Sequence, residues 1–126
     1  MLLLVQNKLN KIQGEVHMEI IRGTTPTIQI TIQDEIDLEQ VAQVWVYFSQ
    51  RNEIKVSKDL SDVTFNLERQ MIIVKLKQED TLALDADKAT LFQIRLLLTD
   101  GTALSMEASD VKVYQVYKDG VITPEE

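Results

Sequence analysis

A chain of 126 residues with 44% apolar side chains is the usual size of one domain and can bury a core without covalent staples. It contains no cysteine, which excludes disulfides, zinc thiolates and thiol nucleophiles. The formal charge is −7, and Lys and Arg are scattered singly rather than clustered as a phosphate-tracking surface requires, so nucleic acid is not an expected partner.

Residues 1–17 differ in character from the rest. Met1–Val5 begins with three leucines but gives way to Gln6-Asn7-Lys8. It has neither the basic start, the longer apolar stretch nor the small-residue cleavage site of a secretory signal. No segment is long and apolar enough to span a bilayer, so the chain is expected to be made and kept in the cytoplasm, with no membrane partner. Leu2, Val5, Leu9 and Ile12 fall on one face at helical spacing, which suits a short amphipathic helix; a frayed arm is the plainer reading, because short isolated helices are marginal. A third reading lies in the gene. Gly14-Glu15-Val16-His17-Met18 back-translates to a purine-rich stretch just before an ATG, as a ribosome-binding site read in frame would. On that reading Met18 is the natural start and residues 1–17 are an over-extension. The competing idea is an arm that docks on a neighbour.

From Met18 the chain reads as strands. Glu19–Arg22 is short and β-prone and is stopped by Gly23-Thr24-Thr25-Pro26. Thr27–Gln33 alternates strictly, with Ile28, Ile30 and Ile32 on one side, as in a half-wet antiparallel sheet. Asp34–Leu38 is an acidic turn with Ile36 or Leu38 as a plug. Val44–Gln50 is rich in β-branched and aromatic residues. Arg51-Asn52 turns the chain into Glu53–Val56, which alternates again, as does Val63–Leu67. Glu68-Arg69-Gln70 turns into Met71–Leu76. Lys77–Leu84 breaks the β pattern and is expected to be a single helical turn crossing between sheets. Leu91–Thr99 is the most apolar strand and should be central. Asp100-Gly101 is a strong hairpin signal. The return strand carries Leu104 and Met106, then Val111, Val113 and Val116 after an irregularity at Ala108-Ser109-Asp110. Gly120 ends it, and the tail to Glu126 should be loose. Seven to eight short strands with turn chemistry between them predict an all-β fold, an immunoglobulin-like antiparallel β-sandwich with one short helical turn. The expected domain is 18–123, with 1–17 as an arm and 124–126 as a loose tail.

Catalytic chemistry is hard to assemble. His17 is the only histidine and lies unpartnered in the 1–17 leader, so a Ser-His-Asp triad is not expected and a His-rich metal site cannot be assembled. Asp34, Glu35, Asp37 and Glu39 cluster in one loop, and Glu79, Asp80, Asp85 and Asp87 in another. Hard cations favour such clusters, yet neither has the EF-hand spacing or its glycine, and solvated turns are the default. A glycosidase would need two carboxylates across a cleft, for which short loops leave little room. The four glycines are isolated at turns, so no phosphate loop exists. We therefore expect no enzyme activity, no cofactor and no metal.

Binding is the remaining option. Trp45, Tyr47, Tyr114 and Tyr117 are aromatic residues of the kind favoured at interfaces. A sandwich often keeps one tryptophan in its core. If Val44, Val46 and Phe48 point inward, however, Trp45 and Tyr47 share the outer face and become the candidate partner-contact residues. Tyr114 and Tyr117 cannot share a face of a regular strand. Gln29, Gln33, Gln40, Gln43 and Gln50 suggest a polar, uncharged sheet surface.

Ile21-Arg22-Gly23-Thr24-Thr25-Pro26, the alternating Ile strand and the Asp37-Leu38 turn together resemble small proteins encoded in tail or structural regions of phages and prophages of low-GC Gram-positive bacteria. Gln78–Leu82, Gln93-Ile94-Arg95, Asp100-Gly101 and Asp119-Gly120-Val121-Ile122 add to the likeness. The pattern also resembles the N-terminal immunoglobulin-like domain of phage upper baseplate proteins, without a coiled-coil stalk or a receptor-binding head. The resemblance covers nearly all of 18–122. An exposed sheet face or edge would suit pairing with copies of the chain itself; the resemblance implies a non-enzymatic virion structural or assembly part of a tail or baseplate, bound to other phage proteins. Such a part is present in the cytoplasm during synthesis and then in the virion. The alternatives are a cytoplasmic protein-binding module of a mobile element and a small carbohydrate-binding sandwich. For the N-terminus, the expected result from mass spectrometry of the natively expressed protein is a start at Met18; a start at Met1 would reject that reading.

Overall fold

The computed structural model describes residues 11–12, 14–15, 18–106 and 108–125. Its strands in chain order are β1 (Lys11–Ile12), β2 (Gly14–Glu15), β3 (Met18–Ile21), β4 (Thr27–Ile32), β5 (Val41–Gln50), β6 (Glu53–Asp59), β7 (Val63–Asn66), β8 (Met71–Lys75), β9 (Thr90–Leu98), β10 (Ala103–Met106) and β11 (Ser109–Tyr114). Among the described residues one α-helix, α1 (Gln78–Leu82), joins β8 to β9. The chain is an all-β sandwich.

Alternation decides which side of each strand turns inward. In β4, Ile28, Ile30 and Ile32 are buried; across from the first two sit Val74 and Ile72 of β8. With β2 and β7 on the flanks, the smaller sheet runs β2-β4-β8-β7. In the larger sheet β5 buries Val44, Val46 and Phe48 against the same core, and β9 buries Phe92, Ile94 and Leu96. Phe48 lies directly across from Phe92, with ring centroids 5.1 Å apart. β9 is central, as its apolar composition predicts. β5 runs along one side of it, while β10 and β11 pair in succession with the other. The irregularity expected at Ala108-Ser109-Asp110 is not found as such: Ser109 and Asp110 already belong to β11 and pair with Phe92 and Leu91, and of the three only Ala108 lies outside a strand. β6 closes the far side of β5.

The chain before β4 alternates between the sheets. β1 and β3 pair parallel with β10 and β11 in the larger sheet, and β2 pairs antiparallel with β4 in the smaller one. Strand pairing therefore reaches N-terminal of Met18. Of the stretch that suited a helix, Lys11 and Ile12 are strand; Leu2, Val5 and Leu9 lie outside the described residues, as does His17.

β6 departs from regular alternation. The register slips between Phe48 and Ser49, which pair with Val56 and Ile54 respectively. Lys55 is thus an extra residue in a β-bulge. Strict alternation would put Ile54 and Val56 on one side; the bulge leaves Val56 in the core and Ile54 outside. Arg51 and Asn52 both have positive φ, 54° and 62°, as a tight two-residue turn between right-twisted strands requires.

The crossing from β8 to β9 is held by polar side chains. Arg22 Nε donates to the Leu84 carbonyl at 2.8 Å, and its Nη2 donates to the Leu82 carbonyl and Asp119. A cation is well placed against the free carbonyls at a helix C-terminus. Thr81, fully buried, accepts from the Gly23 N–H and donates to the Thr24 carbonyl, both at 2.9 Å. Gly23 has φ +82°, which a side chain would strain. Gln50 is buried too: it donates to the Asp85 carbonyl and Thr90 and accepts from the Asp85 N–H. It therefore does not belong to a polar outer surface. Nor do the other glutamines form one face, since Gln29 and Gln43 lie on different sheets. Ile122 and Gln78 exchange two hydrogen bonds of 2.8 and 3.0 Å, which tie the segment after Gly120 to α1.

Phe48 fills the middle of the core and is fully buried. Phe48→Ala is expected to cost about 3–5 kcal/mol in urea unfolding; a cost under about 1 kcal/mol would mean that the two sheets do not close over this ring.

Candidate functional site

With Val44, Val46 and Phe48 in the core, the outer face of β5 carries Trp45, Tyr47 and Ser49. The alternative of a core tryptophan is thereby settled: Trp45 is on the outer face and half-buried. The structure brings Trp45 and Tyr47 together with residues of the neighbouring strands. Three ranks cross the sheet from β6 through β5 to β9. Asp59, Trp45 and Arg95 form one; Ser57, Tyr47 and Gln93 the next; Ile54, Ser49 and Leu91 the third. Ile54 and Leu91 are 58% and 41% exposed, values unusual for large aliphatic side chains in strands.

Two open hollows flank a ridge made by Tyr47 and Arg95. One, of about 400 Å³, is lined by Tyr47, Ser49, Ile54, Leu91, Gln93 and Arg95 together with Ala108. The other, of about 230 Å³, is lined by Trp45, Tyr47, Arg95, Leu97 and Ala103 over Leu96. The larger hollow of about 1020 Å³ between the start of β3, the 86–90 loop and β11 is lined by Glu19, Asp87, Lys88, Asp110 and Lys112 among others. Its charges are mixed and it holds no aromatic residue.

The acidic loops are occupied with local structure. Asp37 accepts from the Glu39 N–H at the start of the 3-10 turn Leu38–Gln40. Leu38, in that turn, is buried, and Ile36 packs against the core. Asp80 accepts from the Lys77 N–H at 2.7 Å, capping α1, and pairs with Lys58 at 2.8 Å. That pair is largely buried, so its loss would leave one charge without its counterpart. Among the described residues no group of three or more His, Cys, Asp or Glu side chains is placed to hold a metal ion.

Asp59 belongs to the outer face. The Ser61 hydroxyl and backbone N–H donate to its carboxylate at 2.6 and 2.9 Å and hold it below the usual carboxylate range. Thr102 does the same for Asp100, again through side chain first and backbone second. A carboxyl held ionised in this way is a fixed negative charge, not a proton donor at neutral pH.

Arg95, Asp59, Ile54, Leu91 and Leu97 are the face residues that sequence reasoning passed over. The alternation Leu91, Gln93, Arg95, Leu97 was available as a signal, but the apolar richness of the strand masked it. Ile54 needed the bulge, and the ranks needed the pairing of strands distant in sequence. Tyr114 lies on β11, 39% exposed, with its hydroxyl donating to Glu19; Tyr117 is outside the strand and fully exposed.

No protein-family model matches the chain, and comparison with curated proteins gave no significant match. The face itself is therefore the basis for a functional reading.

Trp45 is the sole tryptophan. Trp45→Ala is expected to change unfolding free energy by no more than about 1 kcal/mol, as a partly exposed position does, whereas a core tryptophan would cost about 3–5 kcal/mol. Urea unfolding followed by far-UV circular dichroism distinguishes the two.

Proposed function

We propose that this chain is a non-enzymatic structural or assembly protein of a phage or prophage, a tail, baseplate or other virion component. It works by protein–protein contact through the outer face of its larger sheet. The observation that carries the reading is the patch of Trp45, Tyr47, Ile54, Leu91 and Leu97 on that face, away from the core. Apolar and aromatic side chains that remain exposed after the core has closed are what a partner surface supplies with cover. The partners in this reading are other phage structural proteins and copies of the chain. The protein is present in the cytoplasm during synthesis and then in the particle.

Strand order supports the immunoglobulin-like plan that the resemblance implies. β2-β4-β8-β7 corresponds to strands A-B-E-D of that plan, and β6-β5-β9 continuing into β10 and β11 corresponds to C′-C-F-G. The Arg22-Gly23-Thr24 segment, part of the quoted resemblance, locks the crossing between sheets. Among the described residues no helix is long and apolar enough to cross a membrane.

The aromatic pair also supports a second reading, a small carbohydrate-binding sandwich, since Trp45 and Tyr47 stand two residues apart on one face of β5. A glycan array on which the wild-type chain binds and Trp45→Ala does not would favour it.

The phage reading is tested on particles purified by density gradient from the producing strain after prophage induction. Peptide mass spectrometry is expected to find this chain in the particle fraction in fixed ratio to the tail proteins. Its absence from particles that contain tail proteins would reject the virion role.

A further inference from the structure

We propose that the outer face of the larger sheet is a two-fold interface between two copies of this chain, with β5 lying along the axis. The proposal rests on the protein-contact reading above and names the partner for that face.

In a face-to-face dimer the two-fold axis lies in the contact plane. An axis along β5 lays the β6 side of one copy on the β9 side of the other, and each rank then meets itself reversed. Ile54 of one copy meets Leu91 of the other, the two exposed aliphatic side chains of the face. Ser57 meets Gln93, a hydroxyl opposite an amide. Asp59 meets Arg95, an acid opposite a base. Trp45 and Tyr47, on the axis, meet their own copies, as aromatic side chains do favourably in offset or edge-on packing. Within one copy, Asp59 and Arg95 stand two strand spacings apart, about 10 Å, with Trp45 between them.

Other axes spoil this match. An axis along β9 would set Arg95 on Arg95, and one along β6 would set Asp59 on Asp59; like charges brought together at an interface are costly. An axis across the strands at Tyr47 would set Ile54 on Asp59 and Leu91 on Arg95. Of these axes, only the one along β5 matches apolar with apolar, polar with polar and acid with base in all three ranks. The carboxylate that this pairing uses is already held ionised by Ser61.

Strand spacing gives the face an area on the order of 400 Å² per copy, about half the ~800 Å² of a standard interface. The dimer is therefore expected to be concentration-dependent in free solution and favoured where an assembly brings copies together.

Sedimentation equilibrium of the full chain over a concentration series tests the proposal. The expected wild-type result is a monomer–dimer equilibrium, with Trp45 emission moving to shorter wavelength as dimer forms. Arg95→Asp and Asp59→Arg should each weaken self-association by at least about ten-fold. Mixed in equal amounts the two variants should recover it, because Asp59 then meets Arg95 on one side of the axis and the two substituted residues meet as acid and base on the other. Asp59 also caps a turn, so Leu91→Arg serves as a second variant and should weaken the dimer comparably; thermal unfolding verifies that each variant is folded. A wild-type chain that stays monomeric to about 1 mM would overturn the proposal. So would a dimer that survives the single substitutions, or folded variants that do not recover on mixing. A monomer whose Trp45 emission shifts with an added oligosaccharide overturns it in favour of a sugar. The particle measurement is independent: a chain found in particles yet monomeric refutes the dimer alone, and a dimer absent from particles refutes the virion role alone.

Discussion

β5 and β9 hydrogen-bond along nearly their whole lengths, from Val41–Leu98 to Gln50–Thr90, and a strand can give only alternate side chains to the core. A slip of both strands by one residue would expose Val44, Val46, Phe48, Phe92, Ile94 and Leu96 and bury Trp45, Tyr47 and Arg95. At about 1.5–3 kcal/mol per large apolar side chain, the loss is on the order of 10 kcal/mol. That is comparable with the whole stability of a domain, about 5–15 kcal/mol, so the register is not negotiable. The composition of the outer face is therefore a consequence of the inner one. Given that the six core positions are filled, Trp45 has nowhere to go but out.

The second constraint is the passage between sheets. A chain leaving β8 must cross the end of the sandwich before entering β9, and the short crossing leaves backbone carbonyls without helical partners. Arg22 takes two of them, at Leu82 and Leu84, and Thr81 ties the same turn to the backbone at Gly23 and Thr24. Gln50 holds the next segment at Asp85. Side chains from the end of β3, from α1 and from the end of β5 thus meet at one end of the molecule. Each satisfies buried polar groups that would otherwise cost about 1–3 kcal/mol apiece.

Much of this was legible beforehand because local chemistry and global structure agree. The Ile28-Ile30-Ile32 alternation, the Asp100-Gly101 turn, the helical turn after Leu76 and the central place of the Leu91–Thr99 stretch all have local causes. What was not legible has non-local causes. Whether Trp45 or Val44 faced in depended on which set the opposite sheet could cover. Gln50 reads as a surface residue until Asp85 and Thr90, far along the chain, provide its partners. Ile54 reads as core until the extra residue at Lys55 turns it out. The candidate site was legible as a pair, Trp45 and Tyr47, but not as a surface, because a surface made of ranks exists only once three strands are in register.

The bulge in β6 has a further consequence. β6 is an outer strand of the larger sheet, and an unpaired strand edge is a template on which further strands can add without limit. The slip at Lys55 interrupts the even spacing that such addition needs, and the ion pair of Lys55 with the exposed Glu53 puts charged groups beside it. Lateral growth of the sheet is thus discouraged at that edge, while the face next to it stays open. A face contact with two-fold symmetry consumes the surface that makes it and stops at two. In the proposed dimer, the same extra residue that turns Ile54 outward would therefore also separate finite assembly from runaway polymerisation.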